Sequence, residues 1–369
     1  MKKKIYSFIM VSLATLCIAP SANMYMLNSA DAKKPKTLND WKTYLYNMDF
    51  ALQFIGRAYY HAGISINPEK VIIGKSGWLF LGDSYAKSIT VKRNSPSPED
   101  EVKSKAIAGS ASGWNKWFHD HGVKEYRVII GPDKDTIYAE YLPDWARHSQ
   151  KSLTDQMIGL SGESIFIYPK TALISEKAKY NTPIYYKTDT HWNLIGGAIA
   201  FQQLSKSLSH SQPDLLWPDP IDQNDVSMSD RVGGDLSNFQ RIREYLQDSD
   251  VRLQPFVSSP IKSQQTEFFT GNPVTPGSNT DVRILTTATL VKSPNALNNK
   301  RVLWLRDSFG SALAPFMAAT FSETLQLHHN RASQKMIEEL VEEFKPDYVI
   351  VTNVERDSRT GFLTSRPPL

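Results

Sequence analysis

Short apolar runs alternate with stretches of helical periodicity along most of the chain. Apolar runs of strand length lie at residues 126–130, 164–168, 184–186, 301–305, 324–327 and 348–352. Helical spacing of apolar residues is found at residues 97–121, 150–159, 171–179, 193–208, 311–320 and 333–344. This alternation predicts an α/β fold, in which a mostly parallel sheet is covered by helices on both faces.

Two stretches depart from the alternation. Residues 71–83 are two apolar runs around a Gly-Lys-Ser-Gly turn, which predicts a β-hairpin; the glycine that a phosphate-binding loop needs upstream is missing. Residues 211–300 are rich in Pro, Ser, Asn, Gln and Asp, with short extended runs at 282–285 and 289–291. We expect an irregular or β-rich insertion before the strand at 301–305. Its segment 231–235 either lines a site or forms a turn.

The N-terminus has the layout of an export signal. Three lysines precede an apolar run at residues 5–19, and Ala30-Asp31-Ala32 offers a cleavage site. The run is shorter than the ~20 residues of a comfortable membrane span, so cleavage and retention as an anchor both stay open. We therefore predict a signal peptide or anchor at 1–32, a helical lead-in at 33–70 and the main domain at 71–369. The export signal favours a location in the periplasm, with or without a tether to the inner membrane.

Composition narrows the class of protein further. The 369 residues are 41% hydrophobic and 22% charged, which allows a sizeable core. A net charge of +4 without a Lys/Arg stripe argues against a nucleic-acid partner. The single cysteine, Cys17, lies inside the apolar N-terminal run, so the rest of the chain has neither disulfide nor thiol chemistry.

Candidate chemistry centres on a serine at a strand end. Ser308 follows the apolar run 301–305 and precedes a helical segment, which is where open α/β sheets bind ligands. Asp189 and His191 follow another apolar run and are two residues apart, so in extended chain they point to the same side. Together they fill the roles of nucleophile, base and orienting carboxylate.

Other uses of these residues stay open at this point. An Asp-x-His pair is more commonly a turn with a helix cap, and a zinc site could combine Asp189 and His191 with His328 and His329. No two-histidine helix motif supports zinc, so we expect no metal and no cofactor. Trp192 is a pocket wall or a core residue. Arg306 is a turn residue or a contact to an anionic sugar.

The order of several motifs carries a family resemblance. These motifs are Gly77-Trp78-Leu79-Phe80, Pro132-Asp133-Lys134, Asp189-Thr190-His191-Trp192-Asn193, Arg306-Asp307-Ser308-Phe309 and Glu355-Arg356. In this order they resemble the SGNH-hydrolase-like domain of the AlgJ and AlgX alginate O-acetyltransferases. The usual glycine before Asp-Ser is replaced by Arg306.

The resemblance implies that 71–369 is a catalytic domain, and it implies a function and a site for it. Ser308 would be the nucleophile, with His191 and Asp189 as the other triad members, in an enzyme that acetylates sugar hydroxyls of a secreted exopolysaccharide. A membrane-bound O-acyltransferase would supply the acetyl group, and other secretion proteins would be partners. The alternatives are an acetyl esterase with the same triad and a non-enzymatic polysaccharide-binding assembly protein. Candidates for substrate or oxyanion contacts are Lys134, Asp133, Arg306, Trp192, Glu355 and Arg356.

Overall fold

The computed structural model describes residues 2–27, 35–161, 165–275 and 279–368. The cleavage site predicted at Ala30-Asp31-Ala32 lies outside these ranges, as does Ser164 at the start of one predicted strand.

The described residues contain thirteen α-helices and twelve β-strands. The helices are α1 Lys2–Leu27, α2 Leu38–Leu45, α3 Asp49–His61, α4 Ser88–Arg93, α5 Pro98–Asp120, α6 Lys134–Ile137, α7 Leu153–Gly159, α8 Lys170–Glu176, α9 Leu194–Ser211, α10 Asp235–Phe239, α11 Gln254–Ser258, α12 Ala314–Thr320 and α13 Gln334–Phe344. The strands are β1 Val71–Ile73, β2 Leu79–Leu81, β3 Glu125–Gly131, β4 Phe166–Ile167, β5 Val226–Val232, β6 Gln247–Leu253, β7 Gln264–Glu267, β8 Pro273–Thr275, β9 Thr289–Lys292, β10 Asn298–Arg306, β11 Phe321–Leu327 and β12 Tyr348–Val354.

The chain divides into two compact units, and the smaller one contains helices α1 to α3. It comprises Met1–Ile66 with Gln240–Ile242. Within it the Asn23 amide donates to the carbonyl oxygens of Leu45 (2.9 Å) and Asn47 (2.7 Å), which fixes α1 against the end of α2. Across the described residues, the Lys3–Tyr25 segment is the one helix long and apolar enough to cross a membrane, and it is almost entirely unburied.

The larger unit is built on an eight-stranded sheet with the order β4-β3-β12-β10-β11-β9-β7-β8. Strands β4, β3, β12, β10 and β11 are parallel, whereas β9, β7 and β8 are antiparallel to their neighbours. The prediction of a mostly parallel sheet is therefore corrected to a mixed sheet. Only residues 268–272 connect β7 to β8, and so short a connection allows only an antiparallel pair.

Helices cover both faces of this sheet, as predicted. Alternate side chains of β10 point to opposite faces. Val302 and Trp304 pack with α9 and α12, while Leu303 and Leu305 pack with α5 and α13. Each face therefore has its own hydrophobic core, and the carboxyl end of β10 lies between the two helical layers.

Local signals explain where the main helices begin. Helix α5 is capped by Ser97, whose hydroxyl accepts from the Asp100 N–H while the Asp100 carboxylate accepts from the Ser97 N–H. Helix α9 starts with Asn193, whose side-chain oxygen accepts from two backbone N–H groups. A Cβ on Gly197 would lie 2.5 Å from the Ala312 carbonyl oxygen, so α9 approaches the turn after β10 closely only because this residue is glycine.

Several predicted elements differ from those observed. Residues 184–186 form no strand beyond an isolated bridge between Tyr185 and Trp192, because the chain reverses there and Tyr186 N–H donates to the His191 carbonyl. The helix predicted at 311–320 begins as a tighter 3-10 helix, Ser308–Leu313, before α12. Within 211–300, β5 and β6 pair with each other, residues 282–285 form no strand, and β7 to β9 extend the main sheet. The hairpin β1–β2 is confirmed.

Candidate active site

Ser308 is exposed at the carboxyl end of β10, while the residues around it are buried. The Asp307 carboxylate accepts from the backbone N–H of Phe309 (2.9 Å) and of Val354 (2.7 Å). Burial would raise the pKa of Asp307, but neighbouring His329, the Val354 N–H and Arg356 lower it, so the carboxylate stays ionised. Asp307 therefore fixes the turn that presents Ser308 and ties it to the end of β12.

The reversed chain at residues 187–191 brings His191 to Ser308. The His191 Nε2 atom lies 2.8 Å from Ser308 Oγ, and its Nδ1 atom lies 2.6 Å from Asp189 Oδ1. An ionised carboxylate only accepts hydrogen bonds, so Nδ1 carries the ring proton and Nε2 presents a lone pair to the serine hydroxyl. The three residues singled out from the sequence thus form one hydrogen-bonded chain.

The charges around His191 favour its protonated form. Burial alone would lower the pKa of His191, but the hydrogen bond and charge of Asp189, aided by Asp235, raise that pKa above its ordinary value. For Asp189, burial acts to raise the pKa, and His191 and Arg231 outweigh it and lower that pKa strongly. This arrangement stabilises an imidazolium, which is what a base becomes after it accepts a proton.

Segment 231–235 of the insertion supports the Asp189 carboxylate. Arg231 Nη2 donates to Asp189 Oδ2 over 3.2 Å, and the Asp235 N–H donates to the same oxygen over 3.4 Å. A Cβ on Gly234 would lie 2.3 Å from the Asp189 Cβ atom, so only glycine allows this approach. Of the two alternatives for this segment, lining a site and forming a turn, the structure supports the first.

Asp235 also fixes the loop from the other side. Its carboxylate accepts from the Thr190 N–H (2.8 Å) and hydroxyl (2.6 Å). Asp189, His191 and Asp235 place three possible metal-ligand atoms within 4.8 Å. All three are already hydrogen-bonded inside the protein, which suits a Ser–His–Asp arrangement better than a metal centre. His329 lies elsewhere, 3.7 Å from Asp307 Oδ2, and His328 caps a short 3-10 helix.

Lys134 lies beneath the same loop. Its buried ammonium group donates to the carbonyl oxygens of Tyr186 (3.0 Å), Lys187 (3.0 Å) and Asp189 (2.6 Å). Burial lowers the pKa of Lys134 to about 8, against the opposing effect of nearby carboxylates. The structure therefore places this predicted contact residue where it shapes the loop that carries Asp189 and His191.

Three further predicted residues lie in a separate buried group, the acid–base cluster of Lys92, Asp133, Asp135, Glu355 and Arg356. Lys92 Nζ lies 2.9 Å from Asp133 and Asp135, and Asp133 also pairs with Arg356. Glu355 accepts from the Asp133 N–H at 2.9 Å. From this cluster the Arg356 guanidinium lies 5.6 Å from the centre of the ring of Phe309, the residue after the serine.

Arg306, which stands where the family pattern has glycine, is completely buried. A guanidinium has five N–H donors. All five are used: Nε donates to Gln326 Oε1 (2.8 Å), and the other acceptors are the Asp307 carbonyl, Ser311 Oγ, Asp281 Oδ1 and the Val282 carbonyl. Arg306 thus fixes, from inside the protein, the turn that presents Ser308.

Two cavities flank Ser308. One, of about 310 Å³, is lined by Tyr186, His191, Trp192 and Arg231; the other, of about 370 Å³, includes Arg283 and Arg331. Ser308 and Ser311 line both. The Trp192 indole donates to the Phe309 carbonyl (2.8 Å), so this ring is a fixed wall.

Sequence reasoning did not single out Ser311. Side chains at i and i+3 of a 3-10 helix eclipse each other, which sets Ser311 beside Ser308. The pattern predicted an α-helix from residue 311, and so gave no signal for this pairing.

The fold and the serine at its strand end define the class: an α/β protein of the SGNH hydrolase-like type. Residues 71–275, more than half of the chain, match the family described as the SGNH hydrolase-like domain of the acetyltransferase AlgX, and the chain belongs to this family. The matched residues include Asp189 and His191, and Ser308 lies beyond them.

Named relatives agree with this assignment. The chain is 25% identical over 173 residues to the probable alginate O-acetylase AlgJ of Pseudomonas putida, a match that spans 46% of this chain and 41% of that protein. Among solved structures, Bacillus cereus PatB1 aligns with a TM-score of 0.55 at 15% identity, over 80% of this chain and 98% of that one. A DHHW family protein from Eubacterium siraeum aligns with a TM-score of 0.54 at 14% identity, over 81% and 99%. The two structures support the fold alone.

Proposed function

We propose that the protein is an O-acetyltransferase that acetylates sugar hydroxyls of a secreted polysaccharide through an acetyl ester on Ser308. The observation that carries the proposal is the hydrogen-bonded chain Ser308–His191–Asp189 at an open cleft. It occurs in a chain of an acetyltransferase family. The name of the AlgJ relative points to an alginate-like acceptor. The apolar helix Lys3–Tyr25 suits a membrane-tethered location in the periplasm, beside a membrane O-acyltransferase that supplies acetyl groups and other secretion proteins.

The reaction has two matching halves. In the first, His191 Nε2 accepts the Ser308 proton while Oγ attacks the donor carbonyl, and the departing group takes that proton from His191. In the second, a sugar hydroxyl gives its proton to His191 Nε2 and attacks the acetyl ester, and Ser308 recovers a proton as it leaves. Both the donor and the acceptor oxygen must therefore pass close to Nε2.

The oxyanion of each tetrahedral intermediate needs donors near Ser308. The Phe309 N–H is already taken by Asp307, and the Gly310 N–H by the Asp307 carbonyl. No acceptor among the described residues takes the Ser308 N–H. Ser311 Oγ accepts from Arg306 Nη1 (3.3 Å), which leaves its own proton free. We assign the Ser308 N–H and the Ser311 hydroxyl as the oxyanion donors.

Ser311→Ala is expected to lower kcat/KM for acetyl transfer on the order of 10²-fold, because it removes one oxyanion donor. The change should act mainly on kcat. Ser311→Thr keeps the hydroxyl and should restore much of the rate, while Ser175→Ala, at an exposed serine of α8, should leave it unchanged. Equal rates for Ser311→Ala and the wild type would remove Ser311 from the mechanism.

The loss of activity at low pH should report the protonation of the His191 imidazole. Only the neutral imidazole accepts the Ser308 proton, so activity should fall as pH drops through the raised pKa of His191. The midpoint of the acid limb of the kcat/KM profile is expected above pH 6.5, the ordinary pKa of a histidine side chain. Asp189→Asn removes the main group that raises this pKa, so the limb should move to lower pH while kcat falls on the order of 10⁴-fold. A limb that stays in place in Asp189→Asn would argue against His191 as the base.

The fate of the acetyl group distinguishes a transferase from an esterase. With p-nitrophenyl acetate as donor, the wild type should acetylate alginate oligosaccharides, with cello-oligosaccharides as a neutral comparison. Mass spectrometry of the sugar and an assay of free acetate measure the two products. If acetate is the sole product whatever the acceptor, the protein is an acetyl esterase and the transferase proposal is lost.

A further inference from the structure

A third cavity, of about 180 Å³, lies beside the acid–base cluster. None of its lining residues lines either cavity that flanks Ser308. Four cationic side chains line it, and Glu355 is the only acid among the lining residues. Val91 and Leu153 add apolar surface, and Ser149 and Gln150 add polar groups. The four cations are Lys92, Lys170, Arg356 and Arg359.

Two of these cationic side chains have N–H groups that are not used in hydrogen bonds within the described residues. Arg356 uses Nη1 for Asp133, and Arg359 uses Nη1 for Asp100 (3.0 Å); among the described residues no other acceptor takes their remaining N–H groups. Their side chains are only 14% and 18% exposed, so they are held in place rather than spread in solvent. A guanidinium fork matches the two oxygens of a carboxylate or phosphate group.

Glu355, the acidic residue in the lining, directs its carboxylate into the protein. The Glu355 carboxylate accepts from the Asp133 N–H, Thr136, Thr154 and Tyr168, and Lys92 Nζ lies 3.4 Å from it. With its oxygens engaged in this way, Glu355 presents little free acceptor to the cavity.

Lys170 adds a third charge to the rim. It pairs at 2.7 Å with Asp155, a residue whose side chain is half exposed, so this ion pair is partly screened by solvent. The available charged donors of the cavity are therefore cationic, and they come from the segment after β12 and from α8.

We propose that this cavity binds a ligand of up to ring size that carries one oxyanion group, a carboxylate or a phosphate. The forks of Arg356 and Arg359 bind the oxyanion, Lys170 adds charge, and the mixed polar and apolar walls contact a hydroxylated carbon skeleton. A cavity of about 150 Å³ accommodates a benzene ring, so the volume suffices for one ring. The site is distinct from Ser308 and does not depend on the acetyl-transfer chemistry.

Isothermal titration of the full chain with glucuronate, glucose 6-phosphate and glucose tests this site. We expect saturable binding of at least one of the two acids and none of glucose, and the stronger acid identifies the oxyanion. Arg359→Gln should weaken that binding at least tenfold. Ser308→Ala should bind with unchanged affinity, and so should Lys116→Gln, which alters an exposed ion pair on α5.

A thermal melt of each variant separates loss of the site from loss of the fold. If Arg359→Gln unfolds because Asp100 loses its partner, Lys170→Gln replaces it and should weaken binding at least threefold. The site is disproved if neither acid binds saturably, if glucose binds as well as the acids, or if folded Arg359 and Lys170 variants bind as tightly as the wild type.

Discussion

Ser308→Ala is expected to abolish acetyl transfer, with a loss of kcat/KM on the order of 10⁴- to 10⁶-fold. Its hydroxyl is the only exposed nucleophile within hydrogen-bond reach of His191 Nε2 among the described residues. The acetyl ester on the protein, detected by intact-mass spectrometry with p-nitrophenyl acetate, should disappear as well. Because Ser308 is exposed, the unfolding temperature should change little.

The matched control is Ser175→Ala, which should keep full activity and full acetyl labelling. Polymer acetylation in cells that stays complete with Ser308→Ala would instead favour a non-enzymatic assembly protein. A large drop in unfolding temperature for Ser308→Ala would indicate a structural serine.

Arg306→Ala is expected to lower the free energy of unfolding by roughly 3–5 kcal/mol, because it leaves the buried partners of the guanidinium without a donor or a counter-charge. Gln326 Oε1 and the Val282 carbonyl would lose their donor, and Asp281 would lose its ion-pair partner. For a domain of this size the unfolding temperature should fall on the order of 10 °C in differential scanning calorimetry.

Arg283→Ala is the control, because Arg283 is exposed on the neighbouring segment and should leave the melt unchanged. A stable Arg306→Ala protein with a raised KM for the sugar would contradict the structural role. Arg306 would then be a contact to the sugar, the second of the two roles that the sequence left open.

The sequence predicts those parts of the fold and site that depend on local pattern. Burial on both faces makes the strands at 301–305 and 348–352 visible as continuous apolar runs. Ser308 comes three residues after such a run. The two-residue spacing of Asp189 and His191 keeps the pair within reach of each other, although the chain bends there instead of being extended. These features need no knowledge of distant contacts, so periodicity and spacing suffice to find them.

Features that depend on contacts between residues far apart in the sequence could not be predicted from it. Arg231 and Asp235 approach Asp189 only because β5 and β6 pair and bring segment 231–235 against the His191 loop. The direction of a side chain is equally hidden. Lys134 and Glu355 both follow strands, as site residues do, yet their charged groups turn inward to carbonyl oxygens and hydroxyls. Packing in the folded protein determines whether such a side chain points inward or toward the site.

The Arg306–Asp281 ion pair has a consequence for protein engineering. It joins the turn of Ser308 to the end of the insertion, and β9 then continues the main sheet beside β11. A shortened protein that lacks the whole of 211–300 would lose a sheet neighbour and a partner of the buried guanidinium together. A loop graft between relatives should therefore keep Arg231, which supports Asp189, and should transfer residues 279–292 together with Arg306.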